Sequence, residues 1–111
     1  MAVTIKELIK SKQAENTATA QYTVTSGRTV VDSFTATNTT GSNAILTVYL
    51  VPSGGSSGAT NAIIYARTIV PGECYTCPEM VGKGLELGSY IATLASASAA
   101  ITIHASGREV V

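Results

Sequence analysis

Alternation constrains this chain more than any other feature. From residue 21 onward, apolar and polar side chains take turns in short runs, and clusters of turn residues separate the runs. Period two marks strands with one face turned inward. The expected strands are Gln21–Thr25 before the turn Ser26-Gly27, and Arg28–Thr39 closed by Thr40-Gly41-Ser42-Asn43. Ala44–Val51 follows, then a flexible loop Pro52–Asn61, and Ala62–Val70 stopped by Pro71-Gly72. A short Glu73–Cys77 ends at Pro78, and Ser89–Ala95 is expected to pair with Ala99–Ser106 across Ser96-Ala97-Ser98. Short strands at this spacing, without an internal helix pattern, predict an all-β antiparallel sandwich or barrel.

Two stretches depart from simple alternation. Ala44–Val51 is apolar on both faces, with Ala44, Leu46, Val48 and Leu50 on one and Ile45, Tyr49 and Val51 on the other. Such a strand is buried twice, against the core and against another layer or subunit. Ile45, Tyr49 and Val51 are therefore candidates for self-association, and equally for ordinary core. In Thr4–Lys12, Ile5, Leu8 and Ile9 fall at i, i+3, i+4, with Lys6, Glu7 and Lys10 on the other side. This predicts one or two amphipathic helical turns, or an extended arm, too short to be stable without docking on something. Residues 11 to 20 are small and polar, as in a linker. The expected division is an arm and linker over 1–20 and a β-sandwich domain over 21–111.

At 111 residues the length suits one domain with one modest core. Seven basic and seven acidic residues cancel and are dispersed, so the electrostatic footprint of a nucleic-acid binder is missing. Charged residues make up only 13% of the chain, about half the ordinary share. A surface this poor in charge suits a protein whose neighbours in an assembly cover it. Met1 to Lys12 contains no apolar h-region, and no run approaches the roughly 18 apolar residues of a membrane span. The expectation is a chain made in a reducing cytoplasm, with no membrane partner and no structural disulfide.

The residues that could carry chemistry do not assemble into a site. Cys74 and Cys77 form a C-x-x-C, but His104 is the only other good zinc ligand, and zinc needs four. A redox dithiol needs a helix N-terminus to lower its thiol pKa, and strand and turn residues flank this pair. The two cysteines read as small hydrophobes on opposite sides of a strand, so that at most one is readily alkylated. Asp32 is the only Asp, and no serine lies in a nucleophile elbow. Pro52–Asn61 lacks the lysine of a phosphate loop, and Gly82–Gly88 misses the dinucleotide spacing. Asn38-Thr39-Thr40 is a glycosylation sequon that matters only in a secretory pathway. The chain reads as a binding or structural protein, with no enzyme activity and no cofactor or metal.

The order of its motifs resembles a known family. The strand Tyr22-Thr23-Val24 precedes a Gly turn, Asn38-Thr39 leads into an apolar strand, Pro71-Gly72-Glu73 follows, and Ser106-Gly107-Arg108-Glu109 closes the chain. Over nearly its whole length the chain is similar to the small β-sandwich structural proteins of tailed bacteriophages, above all the capsid staple (decoration or cement) proteins of epsilon-fifteen-like short-tailed phages. The resemblance implies a jelly-roll-like sandwich that dimerises on the outside of the virion head. There it would hold neighbouring major capsid protein subunits together. On that reading Ile5, Leu8 and Ile9 pack onto the capsid while Lys6, Lys10 and Lys12 meet acidic rim residues. A carbohydrate-binding tail or fibre module is the rival class, and the scarcity of aromatics weighs against it.

Overall fold

In the computed structural model, which describes residues 2–111, nine strands build two antiparallel sheets. They are β1 (Val3–Gln13), β2 (Thr19–Thr23), β3 (Arg28–Asn38), β4 (Ala44–Val51), β5 (Ala62–Ile69), β6 (Cys74–Tyr75), β7 (Gly84–Leu85), β8 (Tyr90–Ala95) and β9 (Ile101–Val110). Sheet I has the order β1-β9-β3-β6, with β7 also paired to β3; sheet II has the order β2-β8-β4-β5. Setting the two-residue β7 aside, β1 pairs with β9, β2 with β8, β3 with β6, and β4 with β5. This is one long hairpin, closed at residues 52–61, wrapped so that successive strand pairs fall in alternate sheets. The β3–β9 and β4–β8 ladders then complete the two sheets. The result is a jelly-roll sandwich.

The two inner faces meet in a core whose largest fully buried side chains include Phe34, Leu46, Ile69, Met80, Ile91, Ile101 and Ile103. Each such side chain stabilises the fold by roughly 1.5–3 kcal/mol through burial. The buried polar residues are all satisfied: among the described residues, no buried side-chain nitrogen or oxygen lacks a partner. Asn38 shows why. Its amide donates to the carbonyls of Ser42 and Ile69, both at 2.8 Å, and its Oδ1 accepts from the Thr40 amide and hydroxyl. One fully buried side chain thus shapes the 39–43 turn and ties sheet I to sheet II.

The chain start corrects the sequence reading. Residues 3–13 form neither a helical turn nor a free arm but an edge strand paired along its length with β9. The helix-like spacing has a physical source. A bulge between Glu7 and Ile9 turns both Leu8 and Ile9 inward, while Ile5 stays outward at 84% exposure. Two adjacent inward residues break period two and imitate a helical stripe. Gly107 makes room for the bulge, because a Cβ there would lie 2.1 Å from the Val30 carbonyl oxygen and 2.9 Å from Leu8 Cδ1. Residues 11 to 20 are no linker either. β1 runs to Gln13, Ala14 is buried, the Ala14 amide donates to the Ile101 carbonyl, and β2 begins at Thr19. Met1, the first residue of the expected arm, lies outside the described residues.

The expected hairpin between Ser89–Ala95 and Ala99–Ser106 is also absent. β8 lies in sheet II and β9 in sheet I, so the Ser96–Ala100 link crosses the sandwich. Ala99 turns that corner with a left-handed backbone (φ 57°). A short turn sequence between two alternating runs fits a hairpin and a crossover equally well, and only the inner-face packing separates them. By contrast β4 has the expected bounds and is buried on both faces, as its double apolar pattern requires.

Candidate interaction surfaces

The chain ends create the first surface. Ala2 and Val111 exchange backbone hydrogen bonds of 2.8 and 2.9 Å, and Val3 pairs with Val110, so residues 2–3 and 110–111 lie side by side on sheet I. On the outward side of this corner Val3 and Ile5 are exposed, with Val110 partly so; Val111, one residue further on, is exposed as well. Of the residues expected to touch a capsid, only Ile5 and Lys10 lie openly on the surface. Leu8 and Ile9 belong to the core, because the bulge points them inward. Lys6 bonds to Glu109 at 3.2 Å and Lys12 to Glu15 at 3.0 Å, although both ammonium groups keep access to solvent.

Behind Lys6 lies a chain of hydroxyl and carboxylate groups. The Tyr22 hydroxyl donates to Glu109 Oε2 at 2.7 Å and lies 2.8 Å from the Thr29 hydroxyl. The Tyr22 hydroxyl, helped by the Lys6 ammonium, holds the Glu109 carboxyl below its usual range. Burial pushes the Tyr22 phenol up. The group links β1, β2, β3 and β9 and is a structural tie.

The outer faces of the two sheets form the second and third surfaces. Sheet I presents Ser33 hydrogen-bonded to Ser106 at 2.7 Å, Thr35 beside His104, Thr37 beside Thr102, and an Arg108–Asp32 ion pair at 3.0 Å. His104 reaches Glu7 on β1 at 2.9 Å and so stands outward, as the alternation predicts. Sheet II presents the other face of β4 and β8. Tyr49, Val51 and Ala92 form a separate apolar cluster, with Ala62, Tyr90 and Leu94 packed against it. The loop 52–61 lies over one end of this cluster. Tyr90 donates to the Gly55 carbonyl at 3.2 Å, and the Gly55 backbone sits against Val51. Tyr49 and Val51, expected as self-association contacts, are thus buried within one chain, and Ile45 alone of the three is open, at 42%.

The cysteines and the sequon become ordinary structure. Cys74 is exposed beside Thr37, while Cys77 is fully buried in a left-handed turn (φ 48°) with its thiol 3.6 Å from the Tyr75 carbonyl. The two thiols are separated as expected, but by a turn rather than by strand alternation, since β6 ends at Tyr75. Burial pushes the Cys77 thiol up to about 12, which leaves it inert near neutrality. Arg67 from sheet II stacks on the Tyr75 ring of sheet I at 4.1 Å, and the Tyr75 hydroxyl donates to Glu79. This clasp closes the open edge of the sandwich, and burial raises the Tyr75 phenol to about 12. Asn38 of the sequon has both amide hydrogens engaged in the core, so the folded chain offers no acceptor there.

Sequence reasoning missed three exposed apolar features. Val3 and Val111 gain meaning only from the pairing of the two chain ends, although apolar residues at both termini were a signal. Tyr65 is 74% exposed because a bulge at Ala66 (φ 49°, its amide bonded to Thr47 Oγ1) lifts it from edge strand β5. A shallow cavity of about 170 Å³ opens among Leu50, Pro52, Leu85 and Ser89, below the roughly 300–1,000 Å³ of sites that take small molecules. Among the described residues no His, Cys, Asp and Glu cluster could hold a metal ion. Comparison with known protein families, characterised proteins and solved structures finds no match.

Proposed function

We propose that this protein is a non-enzymatic structural component of a phage virion. It binds the outside of the head and staples neighbouring major capsid protein subunits, acting as a homodimer without cofactor. The observation that carries the reading is the apolar corner of Val3, Ile5 and Val110, displayed on paired rigid strands with Lys10 free on the same edge strand. Rigid display lowers the ordering cost of docking. A dimer that grips two subunits makes its second contact intramolecular, so a modest interface repeated over the head resists the pressure of packaged DNA. The resemblance noted above and the jelly-roll topology support the same reading.

Deleting residues 1–12 is a poor test, since it removes most of edge strand β1 together with the core residues Leu8 and Ile9. Point changes are cleaner. Purified wild-type protein added to heads that lack it should bind in hundreds of copies. A folded Val3→Asp/Ile5→Asp variant should lose at least about tenfold in occupancy. Undiminished binding by that variant would eliminate the terminal corner as the contact.

Tyr65 favours one alternative, a tail or fibre module that binds a sugar or receptor, because an exposed aromatic on a bulge suits ring stacking. Glycan-array binding that disappears in Tyr65→Ala, with only a few copies per particle, would replace the head reading by this one.

A further inference from the structure

The outer face of sheet II is uneven in a way that fits a second copy of itself. None of the residues of β2, β8 and β4 is charged, and β5 contributes only Arg67 at the sheet edge. Along the outward side of β4, Val51 is fully buried and Ile45 is 42% exposed. The loop 52–61 is a ridge over the Val51 end, through the Tyr90–Gly55 hydrogen bond and the Gly55–Val51 contact. The other end, with Ile45 and Leu94, is a bare shelf, and Ala20 on the neighbouring β2–β8 ladder is exposed at mid-face, level with Tyr49. Ile45 and Val51 are six residues apart on one strand, so ridge and shelf are separated by about 20 Å.

We infer that this face is the self-association interface, formed by two copies about a two-fold axis in the plane of the face and perpendicular to the strands. That axis reverses the strand direction in the second copy, and so lays each ridge on the other's shelf. An axis along the strands sets ridge on ridge and leaves both shelves open. A face without charges meets its own image without like-charge repulsion, whereas a sheet I contact would have to bury the charged Asp32, Arg108 and Glu7. The inference rests on the self-association part of the proposed function and assigns its face and symmetry.

The test uses five full-length chains, each checked for a native far-ultraviolet circular dichroism spectrum, because loss of a dimer by itself lowers the melting temperature. Wild type should run at twice the 11.4 kDa chain mass in light scattering. Ile45→Glu and Ala20→Glu, both exposed positions, should raise the dimer dissociation constant about 30-fold or more. In a Cys74→Ser background, Ile45→Cys and Ala59→Cys chains mixed and treated with a short bismaleimide should give a mixed dimer. A dimer that survives Ile45→Glu overturns the assigned face and leaves self-association standing. A monomeric wild type overturns both. Cross-linking of Ile45→Cys to itself in preference to Ala59→Cys overturns the axis.

Discussion

The two sheets share a core yet turn opposite chemistry outward. Sheet I carries Lys6, Glu7, Lys10, Lys12, Arg28, Asp32, Arg108 and Glu109 on its strands, with a ladder of short hydroxyl side chains between β3 and β9. Sheet II carries one charged residue on its strands and an apolar cluster on its outer side. Away from its apolar corner, sheet I is a finished solvent face, whose outward polar groups bond to one another. Sheet II is finished only where its own loop covers it. Charge placement rather than charge amount therefore separates the two surfaces, which a net charge of zero conceals.

The largest effect should come from the residue that joins the two sheets. Asn38→Ala removes a fully buried amide and strands the Ser42 and Ile69 carbonyls. It should destabilise the fold by about 3 kcal/mol in urea unfolding. A cost below 1 kcal/mol would mean that the sheets are joined elsewhere. Next comes the contrast itself, at one outward position from each sheet. Val51→Ala should cost about 2 kcal/mol, because the loop makes that outer position a core position. Thr35→Ala, outward on sheet I, should stay within about 0.5 kcal/mol. Equal costs would break the comparison.

The edge clasp sharpens it with pH. Cys77 and Tyr75 have folded values of about 12, raised mainly by burial from ordinary values near 9 and 10. Raised acids of this kind contribute stability that is complete below their unfolded values. That contribution is lost as pH rises through the interval from 9 to 12. The urea midpoint should be flat between pH 7 and 8.5 and fall steadily above 9. Glu109 has the opposite sign: its lowered carboxyl contributes above the unfolded carboxylate range, and that stability is lost as pH falls through its lower folded value. Smallest in energy is a labelling test at neutral pH. Cys74 should react with iodoacetamide in the native state and Cys77 only after unfolding.

Much of this was legible in the chain. β3 and β5 begin and β4 begins and ends where alternation and turn residues place them, and the double apolar pattern of β4 marks a strand buried on both sides. The separation of Cys74 from Cys77 was foreseen for another reason than the one that holds. β1 was misread because a bulge at Leu8 produces the spacing of a helix. β7 went unseen because two residues between glycines carry no period. The terminal corner was half legible: Ile5 stood out as apolar, but its exposure follows from which neighbour Leu8 takes.

By itself the sequence determined the strand class, the apolar double face of β4 and the absence of charge from β2, β4 and β8, since each is a property of side-chain order along one segment. Only the tertiary structure decided that β8 and β9 part into different sheets, that residues 3–13 complete a sheet, and that a loop covers half of the apolar outer face. Those outcomes depend on contacts between residues far apart in the chain, and alternation, with a period of two residues, reports on none of them.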